Sequence, residues 1–145
     1  MPQEKNIQLA SDLRTVVTRM VKKLRKETVT ARQLSLTERS TMALLYQHKE
    51  LLPSELASME KITNQSMSQI LNYLQKLNYI SRTASDTDKR KVIISLTEEG
   101  EKTILQMRSE RDMWLARAIR ETCNEEEEVL LRKVIETLTK LVAFE

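Results

Sequence analysis

The chain is poor in residues that interrupt helices. Its 145 residues include one glycine, Gly100, and two prolines, Pro2 and Pro53. In a helix interior these residues cost about 1 and 3 kcal/mol relative to alanine. Their scarcity predicts long helices with short connections, a mainly α chain. One cysteine, Cys123, excludes an intrachain disulfide and a cysteine-based zinc finger, which needs several thiolates. One histidine, His48, removes the usual histidine metal clusters and Ser–His or Cys–His nucleophiles. No acid–base constellation is visible, so neither an enzyme nor a cofactor is expected. Aromatic residues make up 3% of the chain, too few for a stacking surface for single-stranded nucleic acid. No run approaches the roughly 18 apolar residues of a membrane helix, and residues 1–6 lack the apolar stretch of a signal peptide. No membrane partner and a cytoplasmic location are expected.

A last absence is one of charge. No Asp or Glu occurs from Lys61 to Ser85, whereas residues 97–145 carry twelve acids against eight bases. An acid-free stretch can approach a polyanion without repulsion.

What is present falls into helical and extended periods. Apolar residues at Ile7, Ala10, Leu13, Val17, Met20, Val21 and Leu24 draw one stripe along a helix from about Asn6 to Thr30. A second helix starts near Thr37. Pro53 suits the first turn of a short third helix, where its missing N–H costs nothing. Thr63 can cap a fourth, and Asn78 can end it by taking the left-handed conformation. Residues 79–83 and 92–96 are short and β-branched, and the turn-forming, basic segment 85–91 between them makes a hairpin. A helix from Thr97 to Thr122 follows. After Asn124, an expected N-cap, a last helix is expected to bury Leu131, Val134, Ile135, Leu138, Leu141 and Val142. Glu125 to Glu128 suit its positive N-terminal end.

The fourth helix carries the most information. At 100° per residue, Met67, Ile70, Leu71, Leu74 and Leu77 share one direction. Gln65, Ser68, Gln69, Asn72 and Lys76 lie opposite, with Asn64 and Ser66 in the first turn. These amides, hydroxyls and a lysine suit base edges in a major groove, and Gln or Asn can bind adenine in bidentate fashion. The hairpin adds Arg82 on its first strand and Lys89, Arg90 and Lys91 at its tip. Asp88 is placed to hold Arg90. A basic loop can enter a minor groove, where the negative potential is strongest. A short helix, an acid-free helix and a basic hairpin in this order lay out a helix-turn-helix with a wing. The rival is a winged-helix protein-interaction module without DNA binding; it has no need of an acid-free helix face and a basic wing together.

Pro53-Ser54-Glu55-Leu56-Ala57, Ser66 to Leu77, Asn78-Tyr79-Ile80-Ser81-Arg82, Asp88-Lys89-Arg90 and Leu96-Thr97-Glu98-Glu99-Gly100 together resemble the DNA-binding lobe of the MarR family. Asn78 stands where the family usually has glycine, and Leu52 where it often has a capping Thr or Ser. The resemblance implies a winged helix-turn-helix regulator in which residues 35–98 form the DNA-binding lobe, with Ser54 beside the recognition helix, and 6–30 and 100–145 form dimerisation helices. It implies a homodimer on a pseudo-palindromic double-stranded operator. It also implies a repressor released by a small aromatic or phenolic ligand. Cys123 lies late in the chain, whereas the sensing cysteine of peroxide-responsive relatives lies near the N-terminus, so it is expected to be a plain thiol.

Overall fold

The computed structural model describes residues 2–30 and 32–145. The element order is α1 (Pro2–Glu27), α2 (Leu36–His48), β1 (Glu50–Leu51), α3 (Pro53–Glu60), α4 (Asn64–Lys76), β2 (Ile80–Ala84), β3 (Val92–Leu96), α5 (Glu98–Thr122) and α6 (Glu125–Val142). The chain divides into two compact units. One comprises Thr28–Glu110; the other comprises the segment ending at Glu27 together with Arg111–Glu145.

The first unit closes a core of its own. Leu34, Met42, Leu45, Leu51, Leu56, Ala57, Met67, Leu71, Leu74, Ile80, Ile94, Ile104 and Met107 are buried and form one cluster. α2 begins one residue before the expected Thr37, because Ser35 caps it: its hydroxyl accepts from the Glu38 N–H while the Glu38 carboxylate accepts from the Ser35 N–H. That reciprocal pair satisfies two donors that a helix start leaves open. Leu52 offers no side-chain cap to α3, as its chemistry requires. The Glu55 carboxylate still reaches back to the Leu52 N–H at 2.9 Å, so half of the capping arrangement survives.

Two helices of this unit end in the same way. The N–H groups of Lys61 and Ile62 donate to Ser58 and Ala57, and those of Asn78 and Tyr79 donate to Gln75 and Leu74. Each pair closes a left-handed C-terminal turn. The left-handed residues are Lys61 (φ 56°) and Asn78 (φ 64°), neither of them glycine. Asn78 thus stops α4 where the sequence placed its end.

The sheet has three strands in the order β1-β3-β2, both pairings antiparallel. β2 and β3 are the expected hairpin, and Arg82 stands opposite Ile94. β1 was not expected. Its two residues pair with Ser95 and Ile94, and too few residues are involved to leave a period in the sequence.

Gly100 and Thr97 explain the Leu-Thr-x-x-Gly segment. Thr97 Oγ1 donates to the Asn78 carbonyl at 2.6 Å and accepts from the Gly100 N–H at 2.9 Å. A Cβ on Gly100 would fall 2.0 Å from the Tyr79 carbonyl oxygen. Glycine is therefore required by close approach of backbones, since its φ is not positive.

The second unit has no buried residue among those described. On α1, Ile7, Leu9, Val16, Val17, Met20 and Val21 are exposed. α6 begins at the expected cap, with Asn124 Oδ1 accepting from the Glu127 N–H at 2.8 Å. Its expected burial is not met within the chain: Leu131, Val134, Ile135, Leu141 and Val142 are exposed, the last at 87%, and Leu138 is half-buried. Its apolar row has too little of its own chain to pack on. No helix among the described residues is long and apolar enough to cross a membrane.

Candidate nucleic-acid interface

α3, the turn at Lys61 to Thr63 and α4 form a helix-turn-helix. Thr63 caps α4, its hydroxyl accepting from the Ser66 N–H at 3.0 Å and lying 3.0 Å from the Ser66 hydroxyl. Met67, Leu71 and Leu74 enter the core, and Ile70 is half-buried. Asn64, Gln65, Ser66, Ser68, Gln69, Asn72 and Lys76 are all exposed. The apolar and polar directions predicted for this helix are thus realised. Lys76 lies twelve residues beyond Asn64, about 18 Å along the axis at 1.5 Å per residue, so the two ends of this face stand well apart.

The wing is built on local polar contacts. Ser85 Oγ lies 3.1 Å from Thr87 Oγ1 and accepts from the Thr87 and Asp88 N–H groups at 3.3 and 3.4 Å. The Ser85 N–H donates to the Lys91 carbonyl and the Lys91 N–H to that of Asp88, each at 3.0 Å. These bonds replace strand pairing where the hairpin turns. Asp88 accepts from the Arg90 N–H at 3.1 Å, from its Nε at 3.2 Å and from its Nη2 at 3.4 Å. The Arg90 guanidinium first, and its backbone N–H second, hold the Asp88 carboxyl below the usual aspartate range. Asp88 is half-buried, whereas Lys89, Arg90 and Lys91 are exposed.

The fold gathers several of these residues. Leu52, Pro53, Ser54, Asn64, Arg90, Lys91 and Val92 line a hollow of about 410 Å³. The starts of α3 and α4 thereby meet the wing across one concave surface with two cations at its rim. Lys89 and Lys76 stand outside it. On the other flank Arg82 reaches α4: its Nη2 donates to Asn72 Oδ1 at 2.7 Å. This link between wing and helix was not legible, because partners ten residues apart in different elements leave no period. Leu52 and Val92 as walls of the hollow were missed for the same reason.

Among the described residues no group of three or more His, Cys, Asp or Glu is placed to hold a metal ion. Cys123 is half-buried at the end of α5, its sulfur 3.7 Å from Thr122 Oγ1.

A three-stranded wing behind an exposed, carboxylate-free second helix defines a transcriptional regulator with a DNA-binding helix-turn-helix fold. The sequence model of the MarR family matches residues 34–92, and the chain belongs to that family. It is 28% identical over 139 residues to an HTH-type transcriptional regulator of Mycobacterium bovis, covering 96% of each chain. A crystal structure of a candidate transcriptional regulator from Pseudomonas aeruginosa PA01 is 30% identical, covers 97% of this chain and 98% of that one, and superposes with a TM-score of 0.82. A MepR variant from S. aureus, solved with an oligodeoxyribonucleotide, shares the fold at 23% identity and a TM-score of 0.70, over 92% of this chain and 97% of that one.

Proposed function

We propose that the chain is a homodimeric, sequence-specific regulator of double-stranded DNA. In this reading residues 35–98 bind the operator, residues 6–30 and 100–145 form the dimer, and a small aromatic or phenolic ligand releases the repressor from DNA. The observation that carries DNA binding is the exposed face of α4, free of carboxylates and set beside a basic wing. Gln65, Ser68, Gln69 and Asn72 read bases in the major groove. Arg90 enters the minor groove, and Lys89 and Lys91 meet phosphates. MepR, of the same fold, has been solved with an oligodeoxyribonucleotide. The dimer is supported by the apolar rows of α1 and α6, which one chain leaves in water. Cys123 has no part in the response.

Fluorescence anisotropy on two duplexes tests the division of roles, one taken from the DNA flanking the regulator's own gene and one of random sequence. Gln69→Ala is expected to cost about 1–3 kcal/mol on the former and little on the latter, because a base contact carries sequence information. Lys89→Ala or Lys91→Ala is expected to weaken both alike and to lower the salt slope by roughly one per lost phosphate contact. Equal losses on both duplexes for Gln69→Ala and Lys89→Ala would overturn the division. No effect from either would return the winged helix to protein interaction.

A further inference from the structure

The contact between Arg82 and Asn72 decides what Asn72 offers to DNA. Ile80 and Arg82 stand two residues apart on β2, hence on one face of the sheet. Ile80 is buried on that face, as is Ile94 opposite Arg82. Arg82 lies where this face runs out of the core, and its guanidinium lands on Asn72 of α4 at 2.7 Å.

A guanidinium has five donors and no acceptor, so only the carbonyl oxygen of the Asn72 amide can face it. The orientation of that amide is therefore set by charge. Its NH₂ group points away from Arg82 with both protons free to donate. Bidentate binding of adenine needs the opposite balance: an amide oxygen free to accept from N6 and a nitrogen donating to N7. Here one of the oxygen's two lone pairs is taken by a charge-assisted bond, about twice as strong as a neutral one, and an N6 amino group approaching the other would meet the guanidinium's own protons, whereas the NH₂ edge stays open. Guanine presents two acceptors, N7 and O6, in the major groove.

Resting on the DNA-reading function proposed above, we infer that Arg82 is a positioning residue that locks Asn72 as a donor and so turns its base preference from adenine to guanine. Arg82 itself need not touch a base. The bond also ties the wing strand to the reading helix, so a wing residue sets specificity in the major groove.

Selection of duplexes from a randomised pool by the full chain tests this, followed by affinity measurements on single-base variants of the selected site. Asn72→Ala identifies the position read by residue 72, as the one position per half-site whose preference it erases. The wild type is expected to favour guanine there over adenine by about fivefold or more. Arg82→Ala is expected to shift that position alone toward adenine, with the thermal midpoint unchanged because both side chains are exposed. Arg82→Lys, which keeps a charged donor, is expected to retain guanine. Asn72→Asp, which keeps the bond to Arg82 but offers only acceptors, is expected to move the preference to cytosine, whose N4 donates. The inference is overturned if Arg82→Ala weakens all duplexes alike and lowers the salt slope, since Arg82 would then be a phosphate contact. It is overturned as well if the wild type already prefers adenine at that position, or if Asn72→Ala erases no preference. Failure of the wild type to select any consensus would instead sink the DNA-reading function, a result distinct from the others.

Discussion

Between Thr28 and Met107 the chain buries apolar side chains in itself; outside that stretch, among the described residues, it buries none. The contrast is not one of composition, because both regions carry regular apolar rows. On α4 Met67, Leu71 and Leu74 meet α3 and the sheet and vanish from solvent. On α6 Leu131, Ile135 and Leu138 repeat at the same spacing, and Leu131 and Ile135 remain 40% and 63% exposed. A helix shows which of its faces is apolar, but not whether the cover comes from its own chain or from a second copy.

This difference predicts that similar substitutions act on different equilibria. Leu71→Ala removes a fully buried side chain and leaves a cavity, which is expected to lower folding stability by about 2–5 kcal/mol. A urea titration followed by circular dichroism measures it, and a loss below 1 kcal/mol would mean that the closed unit is less closed than its burial suggests. Ile135→Glu is expected to leave secondary structure intact and to raise the dimer dissociation constant about a hundredfold, equivalent to roughly 2.7 kcal/mol. Sedimentation equilibrium reads this directly. An unchanged constant would break the comparison, leaving the apolar row of α6 without the role assigned to it.

Smaller effects sharpen the picture of the closed unit, which holds strain as well as packing. Lys61 adopts a left-handed conformation that costs a residue with a Cβ about 1 kcal/mol. Lys61→Gly is expected to raise stability by up to about that amount, less the extra freedom glycine gains when unfolded. Asn78→Gly is expected to gain less, since asparagine tolerates this region. Shifts in the urea midpoint at constant slope would show both, and no gain from Lys61→Gly would mean that the turn is not strained.

The least effect belongs to the wing tip. Because the folded pKa of Asp88 lies below its unfolded one, its bonds to Arg90 stabilise the tip above the unfolded pKa. That contribution disappears as pH falls through the folded pKa, below about pH 4. A carboxyl-carbon NMR titration is expected to show the low midpoint, and Arg90→Ala is expected to return it toward the ordinary aspartate value. An unmoved midpoint would separate the two residues.

Legibility followed locality. The caps at Thr63 and Asn124, the stop at Asn78 and the turn at residues 85–91 depend on neighbours a few positions away, and the sequence displays them. The polar face of α4 was equally plain, because a helix converts spacing into direction. β1 was hidden, since Glu50 and Leu51 owe their extended form to a strand more than forty residues later. So was the meeting of Arg82 with Asn72, partners ten residues apart in different elements. The apolar row of α6 was legible as a row, but its spacing does not say what covers it, and within one chain it stays exposed.

Gly100 carries a further implication, about which replacements the chain can tolerate. Most buried positions yield gradually, because a slightly larger or smaller side chain costs a little and neighbours shift. At Gly100 the first carbon of any side chain meets a backbone carbonyl 2.0 Å away, and a carbonyl fixed by the Thr97 N–H cannot swing aside as a side-chain end would. Tolerance there has no slope: alanine, serine and tryptophan all fail at the same atom. Glu98, Glu99 and Glu101 around it are exposed and free to vary. Among chains that share this seam, that one position would stay fixed while its neighbours drift.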